Sequence, residues 1–113
     1  MINLGKQYIN FFSDSSYIFK KYWKNNFIKS LEDWPEENNI KIRLVIFTNK
    51  IKITDSIFLT GFDIEFTPVI KLKLEDEIYF LLRWKEHLDT IATATTLKTT
   101  RDLISHFNKM ILN

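Results

Sequence analysis

The chain has 113 residues, with 16 Lys and Arg, 14 Asp and Glu, and no cysteine. This is the length of one domain, so residues 1–113 are predicted to form a single domain. The lack of cysteine excludes disulfides, thiolate metal sites and cysteine nucleophiles, and two glycines are too few for a glycine-rich phosphate loop.

The first third of the chain is predicted to be helical. Residues 3–12 favour a short helix, which Gly5 weakens. Good N-cap residues at 13–16 then precede an amphipathic helix that starts at Tyr17. Its apolar stripe recurs at every fourth position, at Phe19, Trp23 and Phe27. The helix is predicted to end at Trp34-Pro35, because the residue before a proline avoids the helical region.

From residue 40 the apolar residues recur with a period of two, which predicts strands. The predicted strands are residues 40–47, 51–53, 58–66, 70–74 and 78–84. A turn is predicted at Thr48–Lys50, and Pro68 indicates an edge strand or a bend. Glu75 and Asp76 are interpreted as a turn into the last strand, which is apolar on both faces except at Arg83 and is placed centrally.

The C-terminal part is predicted to be a loop followed by a helix. Residues 85–98 favour a loop with some extended structure, because Thr has weak helix propensity. Residues 99–102 resemble a capping box and open a helix. Its apolar face is Leu103, Ile104, Phe107, Met110 and Ile111. The predicted fold is α+β: an antiparallel meander of four to five strands, with an N-terminal and a C-terminal helix packed on one face.

The sequence carries no pattern typical of catalysis or metal binding. His87 and His106 lie nineteen residues apart, without the spacing of a metal-binding motif. No serine lies in a nucleophile motif such as GxSxG or SxxK. The threonine-rich residues 90–100 are interpreted as a connector rather than a phosphate-contacting loop. We therefore predict no catalytic residue, no metal, no cofactor and no enzymatic activity.

Two acidic clusters are the predicted partner-binding residues. The favoured cluster is Glu32, Asp33, Trp34, Glu36 and Glu37. The alternative cluster is Glu75, Asp76, Glu77, Glu86 and Asp89. The first is favoured because Trp34 can serve as a buried aromatic anchor inside an acidic rim, although it can equally close the preceding helix.

Basic residues suggest a second kind of partner. Lys and Arg alternate along the predicted strands as Lys41/Arg43, Lys50/Lys52 and Lys71/Lys73, which would suit a nucleic acid bound on the outer face of the sheet. Lys20, Lys21, Lys24 and Lys29 are interleaved with the aromatic residues of the first helix. The helical period separates the two sets, so the aromatic residues are interpreted as core.

The function predicted from these patterns is that of a small cytoplasmic protein which binds and neutralises another protein, as bacterial immunity proteins and phage-encoded toxin inhibitors do. The partner is expected to present a basic surface. The coding bias, with 13 Lys against 3 Arg, is typical of AT-rich mobile bacterial DNA. No segment approaches the ~20 apolar residues of a membrane span, and no secretory signal is visible. The alternative is a nucleic-acid-binding or regulatory module that uses the basic sheet face.

Overall fold

The structure, a computed structural model, describes residues 1–11, 16–55 and 60–112. Its elements in chain order are β1 (Ile2–Asn3), β2 (Gln7–Phe11), α1 (Ser16–Ser30), α2 (Trp34–Glu37), β3 (Arg43–Asp55), β4 (Thr60–Lys71), α3 (Leu74–Trp84), a 3-10 turn (Lys85–His87) and α4 (Leu88–Leu112). The predicted α+β fold, an antiparallel sheet with helices packed on it, is confirmed. Several elements within it differ from the prediction.

Strand β4 lies at the centre of the sheet. β3 pairs with it as a long hairpin on one side, while β1 and β2 follow one another along its other side. The chain passes from β2 through α1 to β3. Both strands pair antiparallel with β4, on its two sides, and therefore run parallel to each other. The β3–β4 hairpin of the predicted meander is present. The chain reaches this hairpin from β2 through a helical crossover.

Residues 3–12 are not helical in their described part, because they pair with β4. Ile9 is buried while Tyr8 and Asn10 are exposed, which is the period of a strand. Gly5 interrupts the pairing with φ +83°, a value that a residue with a side chain rarely adopts. Leu4 N donates to Pro68 O at 3.0 Å across this interruption. The missing N–H of Pro68 faces the same gap, which explains a proline inside a central strand.

The predicted turn at Thr48–Lys50 is a β-bulge within one continuous strand. The register of β3 against β4 shifts between Thr48 and Lys50. Asn49 Nδ2 donates to Thr67 Oγ1 on β4 at 2.7 Å, which holds the bulged residue against the central strand. The predicted strands 40–47 and 51–53 therefore merge into β3. The predicted strand 58–66 likewise contributes to β4, although residues 56–59 lie outside the described part. The predicted strand 70–74 is wrong beyond Lys71, because β4 ends there and Leu74 begins α3.

The predicted central strand at residues 78–84 is wrong, because these residues belong to helix α3. Phe80 and Trp84 are buried, whereas Ile78 and Leu82 are exposed. A run that is apolar on every side fits a buried strand and a helix equally well, so its period does not decide between them. The predicted turn at Glu75 and Asp76 is instead the first turn of this helix.

The predicted loop at residues 85–98 and the capping box at 99–102 are also wrong, since α4 runs through both. The hydroxyl oxygens of Thr95, Thr96 and Thr100 donate to backbone carbonyl groups one turn earlier in the helix. These bonds satisfy polar groups that would otherwise be buried without a partner. Threonine is accommodated here because α4 packs against α1 along this stretch.

The core lies between α1 and the sheet, and the predicted stripe of α1 is confirmed. Phe19, Trp23 and Phe27 are fully buried. Trp23 stacks on Phe27 with ring centroids 5.3 Å apart, and Phe19 and Trp23 both contact Phe66 of β4. On α4 the predicted apolar face is buried at Leu103, whereas two of its members are exposed: Ile104 by 44% and Met110 by 68%.

Candidate functional site

The favoured acidic cluster surrounds α2. Glu32 and Asp33 lie in the turn between α1 and α2, Glu36 and Glu37 lie on α2, and all four side chains are exposed. Pro35 stands in the first turn of α2, where the lack of an N–H costs no helical hydrogen bond.

Trp34 is partly buried within an aromatic group rather than free on the surface. Its ring packs edge-to-face against Phe80 at 6.0 Å and against Trp84 at 6.1 Å, and both partners belong to α3. Of the two roles predicted for Trp34, this packing favours the structural one. It also places α2 against the buried side of α3, so the acidic residues of the two helices belong to neighbouring elements.

The alternative acidic cluster belongs mainly to α3. Glu75, Asp76 and Glu77 form its first turn, where carboxylates stabilise the positive end of the helix dipole. Glu77 Oε2 also accepts a hydrogen bond from the Met1 amino group at 3.1 Å. Glu86 follows in the 3-10 turn and Asp89 in the first turn of α4, and both are exposed. Between residues 75 and 89 the chain carries these five carboxylates and two Lys or Arg residues, Arg83 and Lys85, so the segment is net negative.

An apolar stripe on α3 accompanies this second cluster, and sequence reasoning missed it. Leu74, Ile78 and Leu82 recur at every fourth residue and are exposed by 79%, 61% and 80%. Tyr79 beside them is exposed by 66%. We call Leu74, Ile78, Tyr79 and Leu82 the α3 surface. The period of four was present in the sequence, but it was hidden because the opposite side of the helix is apolar too.

The acidic residues border the α3 surface. Glu75 precedes Ile78 by three residues and Tyr79 by four, so on a helix it lies beside both side chains. Glu86 follows Leu82 by four residues at the other end of the stripe. The exposed Arg83 follows Tyr79 by four residues, and its guanidinium lies 4.0 Å above the centre of the buried Trp84 ring. The resulting surface is an apolar centre with carboxylates at both ends.

The basic residues predicted for a nucleic acid do not form one continuous surface. Within the sheet, Lys50 is paired in register with Glu65 and Lys52 with Asp63, so the central strand places carboxylates beside them. A shallow depression of about 310 Å³ lies among these four residues. At the other end of the hairpin, Arg43 is opposite Lys71, and these two residues are adjacent basic groups. Lys41 and Lys73 lie outside the strands.

The two histidines lie in different places. His87 is exposed in the 3-10 turn, whereas Nδ1 of His106 on α4 lies 3.2 Å from the hydroxyl oxygen of Tyr22 on α1. Within residues 1–11, 16–55 and 60–112, no three His, Asp or Glu side chains gather in a way that could hold a metal ion. No helix in these ranges is long and apolar enough to cross a membrane.

Comparisons with known proteins give no relative. No protein-family model matches the chain, and neither the curated proteins nor the solved structures include a significant match. The α3 surface and its acidic border are therefore the features of this chain that bear on its function.

Proposed function

We propose that this chain binds another protein through the α3 surface and neutralises the activity of that protein. The observation that carries the proposal is the exposure of Leu74, Ile78 and Leu82 on one side of a single helix. Large apolar side chains that are contiguous and exposed mark interaction sites, since leaving them in water is unfavourable. Spacing of four residues is also the spacing by which an amphipathic helix inserts into an apolar groove.

The partner is a protein that presents an apolar groove bordered by basic groups. Glu75 and Glu86 border the apolar stripe, and the carboxylates of α2 belong to the adjoining element. Opposite charges at the rim of an interface speed up encounter and set the orientation of the two proteins. A basic surface is also what a protein that acts on nucleic acids presents to its substrate. Covering that surface would block the substrate, which is how we propose that neutralisation occurs, in the cytoplasm.

The test is a binding measurement on variants of the α3 surface. A photo-crosslinking residue at position 82 serves to identify the partner in cells, with the same residue at position 97 as the control, because Leu97 is an exposed leucine of α4. The partner is then purified and titrated by calorimetry. We expect Ile78→Ala combined with Leu82→Ala to weaken binding by about 2 kcal/mol or more, the loss typical of interface anchors.

Leu97→Ala is the matched control and should bind the partner as the wild type does. Addition of the wild-type chain should abolish the activity of the partner, and the double variant should do so only at higher concentration. Equal crosslinking at positions 82 and 97, or unchanged affinity in the double variant, would contradict the proposal.

A further inference from the structure

One side of strand β3 has no neighbouring strand. β4 pairs with the other side of β3 along its whole length, from Arg43 to Asp55. In the described part of the chain, no strand pairs with the remaining side, which we call the β3 edge. Because the N–H and C=O groups of a strand point alternately to its two sides, the β3 edge presents a row of hydrogen-bonding groups that no neighbouring strand uses. Such an edge can accept an extended chain as a further strand.

Apolar side chains are exposed beside the second half of the β3 edge. In the first half of β3, Leu44 and Ile46 are buried in the core. In the second half, Ile51 and Ile53 are exposed. Ile51 pairs in register with the buried Ile64, which places it on the side of the sheet that carries the core. An added strand with apolar side chains on that side would cover both isoleucines.

The opposite face of the same segment is basic. Lys50 and Lys52 alternate with the two isoleucines and are exposed. Their register partners Glu65 and Asp63 lie on β4, on the side away from the β3 edge. Within the described residues, neither lysine ammonium group lies within 4.0 Å of a carboxylate oxygen. Both ammonium groups can therefore pair with carboxylates that approach from the edge.

We propose that the β3 edge at residues 50–53 binds an acidic extended peptide of another protein as an additional strand. Backbone hydrogen bonds to the edge hold the peptide, and side chains at alternate positions give the specificity. Carboxylates on one face of the peptide lie opposite Lys50 and Lys52. Apolar side chains on its other face lie opposite Ile51 and Ile53. The β3 edge is separate from the α3 surface, and this proposal does not depend on the function proposed for that surface.

The test is binding of a fluorescent peptide to the full chain, measured by fluorescence anisotropy. The probe has about six residues, the usual length of a strand, and alternates valine with glutamate. We expect saturable binding, and Lys50→Glu combined with Lys52→Glu should weaken it about tenfold, because two cross-strand charge pairs are lost. Lys21→Glu combined with Lys29→Glu is the matched control, since it changes the net charge equally at exposed residues of α1. The control should bind the peptide as the wild type does.

Two N-methylated versions of the peptide test whether its backbone joins the sheet. Methyl groups on the valine nitrogens block one edge of the extended peptide, and methyl groups on the glutamate nitrogens block the other. We expect one version to bind as the parent peptide does and the other about tenfold more weakly or worse.

Three results would overturn the proposal. The first is equal affinity of the two methylated peptides, because binding would then not use the backbone of one peptide edge. The second is equal affinity of the wild type and the Lys50→Glu, Lys52→Glu variant, provided that circular dichroism shows both folded. The third is a dimer of the chain that the peptide dissociates in sedimentation experiments, because the occupant of the β3 edge would then be a second copy.

Discussion

The indole nitrogen of Trp23 donates a hydrogen bond of 3.0 Å to the hydroxyl oxygen of Thr96, and both residues are buried. The bond joins α1 to the middle of α4. We expect Thr96→Val to lower the free energy of unfolding by about 1–3 kcal/mol, because it leaves a buried N–H without an acceptor. Thr96→Ser keeps the hydroxyl and should cost less. Equal urea midpoints for the two variants would contradict this account of the bond.

Trp23 itself is fully buried between α1 and the sheet. We expect Trp23→Ala to cost about 3–5 kcal/mol, since it removes the largest side chain of the core and leaves a cavity. That is a large share of the total stability of a domain. Tyr8→Ala, at an aromatic residue exposed by 65%, is the control and should change the urea midpoint little. An unchanged midpoint in Trp23→Ala would mean that α1 does not face the core.

The two sides of α3 are expected to respond in opposite ways to substitution. Phe80→Ala should cost about 3–5 kcal/mol of unfolding free energy, because Phe80 is fully buried. Leu82→Ala should change stability by less than about 0.5 kcal/mol, since this side chain is 80% exposed. Thermal unfolding of both variants checks the orientation of the helix. A similar loss in both would show that the α3 surface is covered within the folded chain.

Glu32 has φ +56° in the turn after α1, a backbone conformation that costs a residue with a side chain about 1–2 kcal/mol. We therefore expect Glu32→Gly to raise the free energy of unfolding by up to about 1 kcal/mol, once the greater entropy of unfolded glycine is included. Asp33→Gly, at the next residue with φ −91°, should instead destabilise. Chemical unfolding of both variants tests this, and a loss of stability in Glu32→Gly would refute it.

Charge reversal separates the two acidic clusters as binding sites. We expect Glu75→Lys combined with Glu86→Lys to slow association with the partner and to reduce its dependence on salt, because rim charges act mainly on encounter. Glu36→Lys combined with Glu37→Lys should have a smaller effect, and it leaves the packing of Trp34 intact. Stopped-flow association rates at two salt concentrations would decide. A larger effect of the second pair would place the interface on α2.

Local periodicity predicts the parts of this fold in which one face is apolar and the other polar. Helix α1 follows from the spacing of Phe19, Trp23 and Phe27, and the alternation in β3 and β4 indicates their strands. α3 could not be predicted in this way, because its sequence is apolar on both sides. α4 forms despite the weak helix propensity of threonine. Burial against α1 and hydrogen bonds such as that from the Thr96 hydroxyl to the Ala92 carbonyl outweigh this propensity.

The charged residues of the candidate site could be predicted from the sequence, whereas its exposed apolar centre could not. Glu75 and Glu86 can be recognised in the sequence as members of an acidic segment. The exposure of Leu82 cannot, because it depends on which side of α3 packs against Trp34. That choice is made by tertiary contacts between residues about fifty positions apart, and no local pattern encodes it.

The length of β3 bears on whether the protein aggregates at high concentration. In the part of the chain that the structure describes, β3 has a neighbouring strand on one side only, so its other edge is open to pairing with a second molecule. Ile51 and Ile53 on this strand are exposed by 50% and 60%, so apolar side chains lie along this open edge. Lys50 and Lys52 alternate with them, so two copies aligned edge to edge would bring ammonium groups together. We expect this repulsion to oppose edge-to-edge pairing of two β3 strands.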